Sequence, residues 1–165
     1  MNYTVTFASL PKSLEEMMKL KEAQLQTPQD TAALTVACLA LYPENKEEAI
    51  RMLDYLRGPR PLSVMEQQFL RDRFMDGRSY IPYSYFHGAS VENNYTPSVP
   101  YVIGMSDSHA AIAEEGYCIM DLKSAGADHA RTVTLRLKPS TGQWFLFDQA
   151  LLAQIREPAK NDPWA

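Results

Sequence analysis

Hydrophobic positions along this chain follow two different periods, and the change between them falls near residue 80. Between residues 13 and 77 the apolar residues recur every three to four positions in four segments, each opened by a capping signal. Ser13 stands three residues before Glu16, and Thr27 precedes Pro28; Asn45 stands three before Glu48, and Ser63 three before Glu66. In each case a side-chain oxygen can accept from an orphan first-turn amide, with an acid at the positive end of the helix dipole. Pro43, Gly58-Pro59 and Gly77 supply the stops. The pattern predicts four helices joined by short turns, the first reaching toward Leu25. The second is apolar on nearly every side, through Ala33, Leu34, Val36, Ala37, Cys38, Ala40 and Leu41, so it is the buried one that the other three wrap.

After residue 100 the period becomes two. Residues 101–106, 116–124, 130–138 and 143–148 read as strands of an antiparallel meander, and residues 2–8 as a short edge strand. Cys118, Met120 and Leu122 share one face with Val133, Leu135 and Leu137 of the next strand; Thr132, Thr134 and Arg136 face the other way. The last strand, Trp144-Phe145-Leu146-Phe147, is apolar on both faces, so its outer face must also be covered. Asp148 is expected to cap a short closing helix through Ile155, and Trp164 to dock the tail. The resulting fold is α+β: an N-terminal four-helix subdomain (1–79) packed against a C-terminal curled antiparallel sheet of four to five strands (102–165). The two are joined by an ordered loop (80–101).

That loop has the strangest composition in the chain. It holds Tyr80, Tyr83, Tyr85, Tyr95, Tyr101, Phe86, three prolines and the Asn93-Asn94 pair, with no lysine or arginine. Disordered linkers are poor in aromatics, so these rings pin the loop onto something, either the protein's own core or a ligand. Tyrosine and asparagine together suit recognition of peptides or sugars. The candidate ligand-binding residues are Tyr83, Tyr85, Phe86, His87, Asn93, Asn94 and Tyr95, extended by Arg136 on the open sheet face.

Composition narrows the partners. With 165 residues and a net charge of −4, the chain lacks the basic field needed for nucleic acid or an anionic membrane surface. The arginine-rich stretch 51–78, six arginines against four acids, reads as a solvated helix face. No secretory leader is evident and the 32–42 apolar run is too short to cross a bilayer, which points to a soluble cytoplasmic protein. Two cysteines 80 positions apart give no disulfide framework.

Catalytic alternatives are weaker. A thiol hydrolase would pair Cys118 with His109 or His129, but Cys118 shares a strand face with Met120 and Leu122, the setting of an inert thiol. Glu92, Glu114, Glu115 and Asp121 offer carboxylates without a defined separation. His87, His109 and His129 lack metal-ligand spacing, and no phosphate-binding loop is present. The sequence therefore calls for no metal or cofactor. It favours a non-catalytic binding or interaction module for a protein, peptide or small ligand, with a small hydrolase as the alternative; the oligomeric state is left open.

The phrases Tyr80-Ile81-Pro82-Tyr83-Ser84-Tyr85-Phe86, Glu92-Asn93-Asn94-Tyr95-Thr96-Pro97, Gly126-Ala127-Asp128, Lys138-Pro139-Ser140-Thr141-Gly142-Gln143-Trp144-Phe145-Leu146 and Asp162-Pro163-Trp164-Ala165 resemble a family of uncharacterised bacterial proteins. That family is a domain of unknown function found mainly among Firmicutes. The resemblance covers roughly residues 60–165. It implies a bacterial source and brings no activity and no site residues.

Overall fold

The computed structural model describes residues 1–108 and 114–165. Strand β1 (Asn2–Phe7) is followed by helices α1 (Leu14–Met18), α2 (Pro28–Leu41), α3 (Lys46–Arg57) and α4 (Val64–Arg73). Strands β2 (Tyr101–Asp107), β3 (Tyr117–Leu122), β4 (Arg131–Lys138) and β5 (Gln143–Gln149) complete the α+β fold. The five strands form one open, antiparallel sheet in the order β1-β2-β3-β4-β5. The edge strand expected at residues 2–8 pairs along its length with β2, from Asn2 opposite Ser106 to Phe7 opposite Tyr101.

All four capping signals operate. Ser13, Thr27 and Ser63 hydroxyls accept from the amides of Glu16, Asp30 and Glu66 at 3.1 Å, and Asn45 accepts from Glu48 at 3.3 Å. At α4 the box closes, because the Glu66 carboxylate also accepts from the Ser63 amide at 3.1 Å. Helix α2 is buried from Thr31 to Leu41 and lies across the sheet against β1, β3, β4 and β5. Its two buried threonines are satisfied: Thr31 donates to the Trp144 carbonyl and Thr35 to the Thr31 carbonyl. The Trp144 amide in turn donates to the Leu25 carbonyl at 2.8 Å, so the helical half caps the edge of β5 at Trp144.

The inward faces of the strands are those the alternation predicts: Val5, Phe7, Ile103, Met105, Met120, Leu122, Val133, Leu135 and Leu146 are buried. Phe145 on the other face of β5 is covered by the end of α3. A Cβ at Gly58, where φ is +62°, would come within 2.6 Å of its ring. Glycine is therefore required there for its conformation and for its lack of a side chain.

Three expectations need correction. The first helix stops after five residues; a 3-10 turn at Lys21–Gln24 follows, and Leu25 turns the chain with φ +59° so that its carbonyl reaches β5. The closing helix from Asp148 is absent. β5 runs on to Gln149, and turns then bury Leu151, Leu152 and Ile155 individually. Trp164 is 93% exposed rather than docked, and the tail is held instead through residues 159–160. Both cysteines are free, and among the described residues no helix is long and apolar enough to cross a membrane.

Candidate functional site

Among the described residues strands β2 and β3 share three residue pairs, Met105–Leu122, Ser106–Asp121 and Asp107–Met120, and on the Tyr101 side they diverge. The aromatic segment fills the fork. It enters as a 3-10 helix, Arg78–Tyr85, whose end inserts between the two strands. Phe86 pairs with Ile103, and the His87 amide donates to Val102 at 2.8 Å on one side. On the other side the Ala125 amide donates to Ser84 at 2.9 Å. The buried hydroxyls of Ser124 and Ser84 lie 2.7 Å apart, and Ser84 donates onward to Ile81.

Over this fork, on the sheet face opposite α2, lies an open groove of about 630 Å³. Its walls carry His87, Asp121, Lys123 and Asp128, with Thr4 and Ser106 from the neighbouring strands. His87 is exposed and its ring lies across Gly104, where a Cβ would sit 3.0 Å from Nε2. A glycine in the middle of a strand is the mark of such an approach, and it was the one sequence signal able to reveal this groove. Asp128 is joined to Arg156 at 3.0 Å. Asp121 and Lys123 make no ion pair among the described residues.

A family model described as "Domain of unknown function (DUF6935)" matches nearly the whole chain, residues 9–159. The chain therefore belongs to that family, DUF6935. Helices α1 to α3 lie within the match, so the resemblance over roughly 60–165 is extended toward the N-terminus. No curated protein and no solved structure matches the chain.

In this DUF6935 domain the candidate residues fall in three places. Tyr85 and Phe86 lie beneath the fork groove, each 2% exposed, and only His87 of the loop candidates stands open in it. The Tyr85 hydroxyl donates to the Leu151 carbonyl, and burial pushes its ionisation well above the ordinary tyrosine value. Tyr95 is equally buried; it stacks on Tyr80 at 5.6 Å and donates to the Arg156 carbonyl at 2.6 Å. Asn93 organises the turn, accepting from the Ser90 and Thr96 amides and donating to the Gly88 carbonyl. Asn94 accepts from the Lys160 amide, and Tyr83 is half-buried in a shallow cleft with Tyr80, Glu44 and Lys160. Arg136 lies apart, beside Arg60. Gly126 of the Gly-Ala-Asp phrase is explained by the same packing, since a Cβ there would sit 2.2 Å from the Tyr95 hydroxyl oxygen.

Of the catalytic candidates, Cys118 points to the α2 side of the sheet with Met120. Burial, helped by the charge of Asp107, pushes its thiol up, away from a nucleophilic thiolate. His129 is exposed and His109 lies outside the described residues. Glu92, Glu114 and Glu115 are exposed. Among the described residues no three His, Cys, Asp or Glu side chains are placed to hold a metal ion.

Proposed function

We propose that this is a non-catalytic binding module of a bacterial cytoplasmic protein, and that its site is the groove over the fork between β2 and β3. The observation that carries the reading is that His87, from the aromatic loop, and Asp121 with Lys123, from the sheet face, line the same cavity. Its volume of about 630 Å³ falls within the range of roughly 300–1,000 Å³ usual for small-ligand sites. A wall offering both a free carboxylate and a free ammonium suits a ligand that carries an amine and a carboxylate of its own, such as an amino acid or short peptide. The inward position and raised ionisation of Cys118 speak against thiol chemistry there.

The test is a thermal-shift screen of amino acids, short peptides, sugars and nucleotides, repeated on Gly104→Val. Ligand at 100-fold over its dissociation constant adds about 2.7 kcal/mol, which for this chain length raises the midpoint by roughly 5–10 °C. Valine suits a strand but drives into His87, so the variant should stay folded and lose the shift. A panel without a shift, or a shift that survives Gly104→Val, defeats the proposal. Turnover of a bound ligand that disappears in Asp121→Asn would favour the carboxylate hydrolase instead.

A further inference from the structure

A second cavity, of about 320 Å³, lies at the other end of the sheet between the turn after α3 and the β4–β5 hairpin. Its polar rim is cationic: Arg60, Arg136 and Lys138 surround it, and Arg57 lines its inner wall. No acidic residue lines it. Arg57, whose side chain is only 5% exposed, is neutralised by Glu66 at 2.7 Å, and its Nε donates to the Arg60 carbonyl at 2.9 Å. The buried Arg57 side chain therefore fixes the turn that carries Arg60. Arg60, Arg136 and Lys138 themselves make no ion pair among the described residues. This is a local concentration of positive charge in a chain whose net charge is −4.

The cations are also held in place. The Arg60 guanidinium lies 4.6 Å over the Phe147 ring, Phe147 meets Tyr117 edge-on at 5.1 Å, and Arg136 lies 5.2 Å over Tyr117. Two guanidinium groups thus bracket a T-shaped aromatic pair. A shift in register between Thr134 and Leu135, where β4 meets β5, helps to set Phe147 in this position. Phe145, Leu137, Pro59 and Pro139 complete an apolar floor. Stacked guanidiniums with free N–H forks are the donors that match the two oxygens of a carboxylate or phosphate.

We infer that this cavity binds a small oxyanion carried on a flat apolar body, an aryl carboxylate or aryl phosphate, with the anion between Arg60 and Arg136 and the body on Phe145. The site is separate from the fork groove, and its failure would leave that reading standing.

Phenyl phosphate, phenylacetate, inorganic phosphate and benzyl alcohol, titrated into the full chain and followed by aromatic and arginine NMR signals, test it. Phenyl phosphate or phenylacetate should move Phe145, Phe147, Tyr117 and Arg60 signals saturably, and the tighter of the two identifies the preferred headgroup. Inorganic phosphate and benzyl alcohol should each bind at least about tenfold more weakly, since each lacks one half of the match. Arg60→Gln and Arg136→Gln should each weaken binding about tenfold, and Arg136→Lys, which keeps charge and loses the fork, by less. Lys12→Gln, an exposed cation far along the chain, should change nothing. Equal binding of benzyl alcohol, indifference to both glutamine variants at unchanged midpoint, or no saturable shift up to about 10 mM ligand would overturn the inference.

Discussion

The aromatic segment 80–101 and the ring cluster at the far end of the sheet make opposite use of the same residue types. In the segment, Tyr85 and Tyr95 put their rings in the core and spend their hydroxyls on the carbonyls of Leu151 and Arg156. At the sheet end, Tyr117 and Phe147 stay half-buried beneath two guanidiniums. Tyrosine density alone therefore does not separate packed rings from open ones. What decides the matter is whether each polar tip finds a main-chain partner, because a tyrosine whose hydroxyl is satisfied inside can be fully buried. The segment whose composition suggests binding is largely a wedge that holds the sheet open, and the surface it helps to build is lined mostly by other residues.

That contrast can be broken most directly by truncation. Tyr85→Ala should cost about 3–5 kcal/mol, as for other large buried rings, whereas Tyr117→Ala, which removes a half-buried ring and its edge-on contact with Phe147, should cost about 1–2 kcal/mol. Urea denaturation at neutral pH reads both, and similar losses would erase the distinction. A smaller effect sharpens it: Gly126→Ala should cost about 1–3 kcal/mol by overpacking, because the added methyl meets both the Tyr95 hydroxyl and Ile155. Wild-type stability in that variant would mean that the loop and the turns after β5 are not tightly joined.

The smallest effect is one of pH. Burial raises the ionisation of Tyr85, and burial followed by the nearness of Tyr80 raises that of Tyr95. Both are neutral acids favoured by the fold, so their contribution is complete below the unfolded value near 10 and is lost as pH rises above it. Stability should fall on the alkaline side of about pH 10. Tyr95→Phe should cost roughly 0.5–1.5 kcal/mol at neutral pH and flatten that fall. An unchanged alkaline slope would show that Tyr95 ionises as freely folded as unfolded.

Local signals account for what the sequence disclosed. The four caps, the largely apolar α2 and the period-two strands are each written within about fourteen residues, and each appears where the pattern puts it. The fork is different in kind, because Phe86 meets Ile103 and Ser84 meets Ala125 through pairings between distant parts of the chain. The partners stand 17 and 41 positions apart, and no hydrophobic period links them. The same holds for the cationic cavity. Arg60 reads as part of a basic helix face in sequence, yet it follows Gly58-Pro59, outside α3, and meets Arg136 only through the rings of Phe147 and Tyr117. Trp164 misled for the opposite reason: a terminal aromatic reads as an anchor, but Ala159 and Lys160 already hold the tail through main-chain amides.

The pairing of β1 with β2 has a consequence during biosynthesis. Asn2 must find Ser106, about a hundred positions later. At translation rates of about 5–20 residues per second, β1 therefore waits roughly 5–20 s for its neighbour to be made. In the later part of that interval α2, which ends at Leu41, has been made, whereas β3, β4 and β5, which it covers, have not.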